Sequence, residues 1–427
     1  MLIQNVQRII QGNETETVDI LIHQGKIKAI GANLPTKGVD QVIDGQGHLV
    51  TPGLVDVHVH FREPGQTYKE DIKTGSQASA RGGFTTVCAM ANTDPVPDTP
   101  ERIKHMYDLI KEKAEVKVYQ YSTITEKLNT ETITDYKALK EAGAVALSND
   151  GLGIQTASVM YEAMKKAAEE GLIIAAHIED ASLMNKGVIN AGPVAEKLGL
   201  PGVKKEAEVA QLARDLVLAE STGVAYHACH ISTAESLRLI KYAKHDGVNV
   251  TVEASPHHLL LSDQDIPGDD GMWKMNPPLR SPEDRKALQE ALINGEVDII
   301  ATDHAPHGTE EKQTGFMNAP FGIVGIETSF SLLYTEFVDS GKMTLEHLID
   351  RMATRPAEIF GLPAGKLEVG QAADIAIFDI ETEYEINPND FLSKGKNTPF
   401  AGWKVKGETL LTLVDGQIVY QKENGIL

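Results

Sequence analysis

The sequence predicts an α/β chain: a (β/α)8 barrel of the TIM type carrying a small β-sandwich domain assembled from both chain ends. Three observations lead there. Short apolar strand candidates alternate with amphipathic helical stretches through the middle of the chain, eight such strands can be counted, and the two termini share a different texture of short alternating runs broken by turn residues.

In chain order, residues 18–23, 27–31 and 41–43 alternate apolar with polar and are interrupted by Gly25-Lys26 and Asp44-Gly45, the mark of small antiparallel strands. The same pattern returns at 374–378, 409–414 and 418–420, with Asp415-Gly416 as a turn. The small domain is therefore expected to take residues 1–52 and 364–427, and the barrel residues 53–363. Barrel strands are expected at 55–60, 85–90, 116–121, 144–148, 173–177, 225–230, 249–254 and 298–302, the eight that a closed barrel needs. Between them, stretches such as 100–114, 157–170, 204–220, 233–244 and 281–294 repeat apolar residues at three- and four-residue spacing, as outer helices do. A doubly wound open sheet is the competing architecture. It is disfavoured because no G-x-G-x-x-G follows any strand, and His58-Val59-His60-Phe61-Arg62 stands where a phosphate loop would be.

The 427 residues exceed the usual single-domain size, and 41% hydrophobic with 24% charged residues describes an ordinary globular chain. A formal charge of -21 argues against a nucleic-acid partner, yet leaves room for an anionic small substrate, since a few positive groups in a pocket dominate at short range. The two cysteines, Cys88 and Cys229, lie in apolar stretches and do not suggest a disulfide framework. No apolar window reaches membrane-spanning length and the N-terminus lacks the pattern of a signal peptide, so no membrane partner and a cytoplasmic location are expected.

His58 and His60, two apart at a strand end, can converge on one ion. Among 14 histidines such a pair is weak evidence by itself, and position raises its weight. Asp150 follows the fourth strand, His177 ends the fifth, His230 ends the sixth and Asp303 follows the eighth, so six metal-capable groups share the barrel face where active sites are built. Nitrogen and oxygen ligands without thiolate suit zinc best, with manganese, cobalt or nickel as alternatives. Such a cation lowers the pKa of bound water and polarises a carbonyl. Asp303 is placed to move the proton from water to the departing nitrogen as general base and then acid.

The runs Asp56-Val57-His58-Val59-His60-Phe61-Arg62-Glu63-Pro64-Gly65 and Ala301-Thr302-Asp303-His304-Ala305-Pro306-His307, with Lys312, resemble the two signature motifs of the dihydroorotases. Ala91-Asn92-Thr93, Ser148-Asn149-Asp150-Gly151, His177-Ile178-Glu179-Asp180, Ser255-Pro256-His257-His258 and Asn276-Pro277-Pro278-Leu279-Arg280 follow the same family in order. The resemblance implies interconversion of N-carbamoyl-L-aspartate and L-dihydroorotate in pyrimidine synthesis. It implies one metal on His58, His60, Asp150 and Asp303 and a second on His177 and His230, bridged by Asp150, with a hydroxide between them attacking the ring amide. Many amidohydrolases bridge the metals with a carboxylated lysine; the shorter Asp150 leaves one or two zinc ions open, with two favoured. Arg62 can grip the substrate carboxylate with a planar fork, and the family reading adds Asn92 and His307 as carboxylate partners and Asn276, Phe321 and Gly322 as ring contacts. An ion pair of Arg62 with Glu63 or Glu70 is the competing reading, and Asn92 and Asn276 could equally be turn residues.

His257 and His258 read as structural, Cys229 as part of the barrel wall, Trp273 and Met275 as packing, and the glycine-containing segment 318–325 as mobile. Allantoinase, dihydropyrimidinase and hydantoinase are rival cyclic-amide hydrolases; Arg62 together with Asp150 points away from them. An inactive scaffold for aspartate carbamoyltransferase is a rival of another class, disfavoured because every expected ligand is present. A homodimer, and association of an active enzyme with that carbamoyltransferase, are the remaining expectations on partners.

Overall fold

A computed structural model describes residues 1–422; the last five residues of the predicted small domain lie outside the described residues. The predicted alternation becomes parallel strands with helices between them. Leu54–Val59, Phe84–Ala89 and Lys117–Gln120 pair in order, as do Ile174–Ala176, Tyr226–Ala228, Val250–Ala254 and Ile299–Ile300. Three single parallel bridges carry the ring across its gaps. Leu147 bridges both Ser122 and Ile174, and His304 bridges Val59, with the His60 N–H donating to the His304 carbonyl at 2.9 Å. The expected fourth strand at 144–148 is thus no regular strand, although Val145, Leu147 and Ser148 donate to the Gln120, Ile173 and Ser122 carbonyls. The eight-membered order is the (β/α)8 arrangement that the strand count predicts.

Helix ends follow local chemistry. Thr99, Thr233 and Ser281 accept from backbone N–H groups in the first turns of Pro100–Lys113, Ala234–His245 and Pro282–Ile293, satisfying donors the helix cannot. Gly171 and Gly223, at φ +64 and +71, end Ala157–Glu170 and Glu206–Thr222 in the left-handed region that a side chain would resist.

Both chain ends contribute to one eight-stranded sheet, in which Leu49–Pro52 pairs with Leu2–Gln11 on one side and Ile375–Asp379 on the other. The Lys26 to Ala372 bridge brings the far strand Lys26–Gly31 back beside the start of Ile375–Asp379. The folded-over sheet closes a core of its own containing Ile3, Ile20, Ile27, Ile375 and Leu411, which is the predicted sandwich. It is bonded to the barrel: Phe378 packs into the barrel's outer core, Thr412 Oγ1 donates to the Ala80 carbonyl at 2.7 Å, and a Cβ on Gly83 would come within 2.5 Å of the Phe378 ring. Burying a phenylalanine side chain this way contributes about 1.5–3 kcal/mol.

One irregularity aims the chemistry. Val55 and Val57 pack in the interior cluster, whereas Val59 packs with the outer one. The pairing of this strand with its neighbour breaks register between Asp56 and Val59. A bulge of this kind resets the alternation of side chains and is how strands re-aim residues near active sites. Asp56 holds the break by accepting from the His58 N–H and the Thr302 hydroxyl.

Candidate metal centre

The six residues expected as ligands converge at the mouth of the ring, all buried. Asp150 lies at the middle. Its Oδ1 is 3.4 Å from His58 Nε2, 3.4 Å from His230 Nε2 and 3.5 Å from His177 Nδ1, and its Oδ2 is 3.4 Å from His60 Nε2. Asp303 Oδ1 is 3.1 Å from His60 Nε2 and 3.3 Å from His58 Nε2. Overlapping groups result among the described residues, including His58/His60/Asp150, Asp150/His177/His230 and His58/His230/Asp303. His230 and Asp303 adopt φ +32 and +49, conformations unusual for residues with side chains and concentrated where function constrains the backbone.

The ring nitrogens are oriented from behind. Glu253, in Val250–Ala254, faces His58 Nδ1 at 2.6 Å and His227 Nε2 at 2.9 Å, and accepts from the His230 N–H at 3.1 Å. Burial alone would raise its pKa, but the His58 charge and the hydrogen bonds from His227 and His58 hold the carboxyl well below its usual range. An ionised carboxylate only accepts, so Nδ1 of His58 carries a proton, and a cation taking the place of the proton on Nε2 would meet that nitrogen's lone pair. Asn92 Oδ1 does the same for His60 at Nδ1, at 2.9 Å. Glu179 stands 3.3 Å from His177 Nε2 and is itself held by the Asn276 amide.

These residues fit a cation. His58 Nε2 is buried without a hydrogen-bond partner, and His177 Nδ1 approaches His230 Nε2 to 3.1 Å beside a carboxylate. Burial would raise the Asp303 pKa, but His58, His60 and His230 hold the group below its usual range, so the carboxylate is charged. Buried carboxylates and imidazole lone pairs aimed at one point are costly unless positive charge joins them.

A cavity of about 130 Å3 opens on this cluster, lined by Arg62, Asn92, Asn276, Phe321 and Gly322 as well as every ligand candidate except His58. That is small beside the pockets of drug-sized ligands and suits a small metabolite. Arg62 is free of the competing ion pairs: Glu63 bonds Lys113 and the Ile72 N–H, while Glu70 takes the Ser393 and Thr74 hydroxyls. Its Nε donates to the Pro306 carbonyl at 3.2 Å. His307 does not line the cavity but lies behind it, against Arg62 and the Phe321 carbonyl. The Gly322 N–H is committed to the Lys274 carbonyl, so this residue offers close approach rather than a donor: a Cβ there would lie 2.7 Å from that of Ala305.

Residues 318–325, expected to move, are tied down. Lys312 is fully buried and its Nζ donates to the Lys274, Pro320 and Gly322 carbonyls at 2.9, 2.9 and 2.8 Å. Burial pushes its pKa down to about 7, and three acceptors for three ammonium protons oppose that loss. Lys312→Met, which strands those carbonyls, is expected to cost about 3 kcal/mol in urea unfolding; a loss below about 0.5 kcal/mol would mean that solvent replaces the ammonium at little cost.

Several supporting residues were not anticipated from sequence: Glu253, Glu179, His227 and Lys69. Glu253 had a usable signal, an acid inside the apolar strand Val-Thr-Val-Glu-Ala, since charges are rarely buried without a partner. Cys229 packs inside the barrel beside His58 and Glu253, and burial drives its thiol pKa up, so it stays protonated. His257 and His258 are buried in Pro256–Leu260, where His258 Nε2 donates to the Pro277 carbonyl at 2.8 Å, in keeping with a structural role.

Known proteins share this chain's sequence and fold. A family profile described as Dihydro-orotase-like matches residues 47–236. The dihydroorotase of Enterococcus faecalis is 57% identical over 422 residues, 99% of each chain, and that of Lactobacillus gasseri 57% over 416 residues, 97% of each. Among solved structures, the L-hydantoinase (dihydropyrimidinase) of Arthrobacter aurescens superimposes with a TM-score of 0.88 at 26% identity, covering 99% of this chain and 96% of that one. The D-hydantoinase of a Thermus species gives 0.85 at 26%, covering 98% and 95%. With a barrel shared with cyclic-amide hydrolases, and sequence identity above half over nearly the whole length of its relatives, the chain belongs to the dihydroorotase family of cyclic amidohydrolases.

Proposed function

We propose that this chain interconverts N-carbamoyl-L-aspartate and L-dihydroorotate plus water, the ring-closing step of pyrimidine synthesis. The observation that carries the substrate is Arg62: an unpaired guanidinium lining the cavity beside the ligand cluster, where a substrate with a carboxylate outside its reacting amide would need it. We assign His58, His60, Asp150 and Asp303 to one zinc ion and His177 and His230 to a second that shares Asp150, an arrangement supported by the distances of both pairs to the Asp150 oxygens. Zinc, when bound, polarises the amide carbonyl and supplies a nucleophile at neutral pH.

The protein's own residues do the rest. Arg62 and Asn92 orient the substrate carboxylate, and Asn276 and the Phe321-Gly322 backbone bound the ring. Asp303 accepts a proton from the attacking water on a carboxylate oxygen and returns it to the ring nitrogen as the C–N bond breaks. In the synthetic direction it takes the proton from the ureido nitrogen. Residues 53–363 carry these groups, and residues 1–52 with 364–427 form the supporting domain. A cytoplasmic homodimer, with aspartate carbamoyltransferase as a partner of the active enzyme, completes the reading; no described helix is long and apolar enough to cross a membrane.

Purified protein supplied with zinc is expected to hydrolyse L-dihydroorotate, and turnover of dihydrouracil or allantoin without it would overturn the assignment. Arg62→Met is expected to lower kcat/KM for dihydroorotate about a hundredfold, the loss of a charge-assisted bidentate contact, with little change on an uncarboxylated analogue. Equal losses on both would make Arg62 a structural residue.

A further inference from the structure

His307 is contacted on both ring nitrogens, and its neighbours are compatible with only one position of the proton. Lys69 Nζ lies 3.1 Å from Nδ1, and the Phe321 carbonyl oxygen 2.8 Å from Nε2. An ammonium can only donate and a carbonyl can only accept. Both contacts are therefore hydrogen bonds when the proton sits on Nε2. With the proton on Nδ1 both become clashes of like groups, and the ring keeps only longer contacts: Glu311 Oε1 at 3.4 Å and Arg62 Nη2 at 3.2 Å. Lys69 is itself buried and steered by Glu311, whose Oε1 lies 3.3 Å from Nζ and also accepts from the Gly308 N–H at 2.8 Å.

The consequence reaches the cavity. Arg62 Nη2 and His307 Nε2 are 3.2 Å apart, and with the proton on Nε2 neither can accept from the other. The Nε2 proton goes to the Phe321 carbonyl, so His307 takes no hydrogen bond from Arg62 and leaves that Nη2 donor for an anionic oxygen in the cavity. We propose that Lys69 is a positioning residue for substrate carboxylate binding: by donating to Nδ1 it keeps the His307 proton on Nε2 and bonded to the Phe321 carbonyl, so that His307 does not accept from Arg62 and the guanidinium keeps its donors for the carboxylate. Burial, together with the Arg62, Lys69 and Lys312 charges, pushes the His307 pKa down and keeps the ring neutral, so its tautomer is what matters. Without Lys69, the proton can move to Nδ1 and bond Glu311, and Nε2 then consumes an Arg62 N–H that the substrate needs.

This inference rests on the dihydroorotase reading, and its test separates the two. The 15N spectrum of the zinc-loaded enzyme labelled at histidine, with the His307 signals assigned by difference against His307→Asn, is expected to show the proton on Nε2. A proton on Nδ1 in the unaltered protein overturns the proposal whatever the enzyme turns over. In Lys69→Met the proton is expected to shift toward Nδ1, with KM for L-dihydroorotate rising about tenfold and kcat within about threefold. Lys69→Gln, whose amide can donate to Nδ1, is expected to restore most of both. A loss confined to kcat, or an unchanged tautomer in a folded Lys69→Met protein, would also refute the role. Absence of dihydroorotate turnover in the unaltered enzyme, with the proton found on Nε2, would instead count against the substrate assignment.

Discussion

Replacing Asp303 by asparagine is expected to cut kcat for L-dihydroorotate about a thousandfold while the protein still folds. Positioned acid–base groups supply about 10²–10⁴ in rate, and asparagine keeps the size of aspartate while losing the ability to take a proton. The backbone tolerates the change, because asparagine accepts the left-handed conformation that Asp303 adopts at φ +49. The charge being removed is one that His58, His60 and His230 keep ionised against the effect of burial. Since Asp303 is also assigned as a ligand, metal content belongs in the same experiment. Lost rate with retained metal isolates the proton-transfer role, and a kcat within tenfold of the unaltered enzyme would assign the proton to another group.

Exhaustive chelation is expected to abolish turnover and lower the melting temperature, on the order of 5–10 °C for a chain of this size if the cation is held at concentrations near a thousand times its dissociation constant. Asp150 and Asp303 both approach His58 Nε2 and His60 Nε2, at 3.1–3.4 Å, so removing the cation leaves two buried carboxylates competing for the same imidazoles. Zinc added back is expected to restore both activity and melting temperature. His230→Ala should reduce zinc from two ions to one per chain, because it removes one of the two histidines assigned to the second ion and leaves His58, His60, Asp150 and Asp303 for the first. A melting temperature indifferent to chelation would mean that the cluster holds no structural cation, and one zinc in the unaltered chain would remove the second site.

The strands and helices of the barrel were legible from periodicity because burial of one face imposes it, and capping residues such as Thr99, Thr233 and Ser281 mark helix starts locally. The fourth strand was over-read: 144–148 has strand-like composition but makes only the bridges of Leu147 and a few backbone bonds. The six ligand candidates were legible for a related reason. Each stands at or just after a strand end, so an eight-strand count is enough to collect them on one face.

What periodicity could not contain is how those side chains are aimed. His58 and His60 converge through a register break after Asp56, which period-two reasoning does not anticipate. The acid that orients His58 is Glu253, 195 residues away, and Lys69 reaches His307 across 238 residues. Such partners are chosen by ring closure, which brings distant strand ends within hydrogen-bond reach, and no local pattern records them. The sequence thus specifies which residues can bind a cation and a carboxylate, because residue type and strand position are local properties. Which nitrogen carries each proton, and whether Arg62 stays free for an anion, depend on neighbours that only the closed barrel supplies.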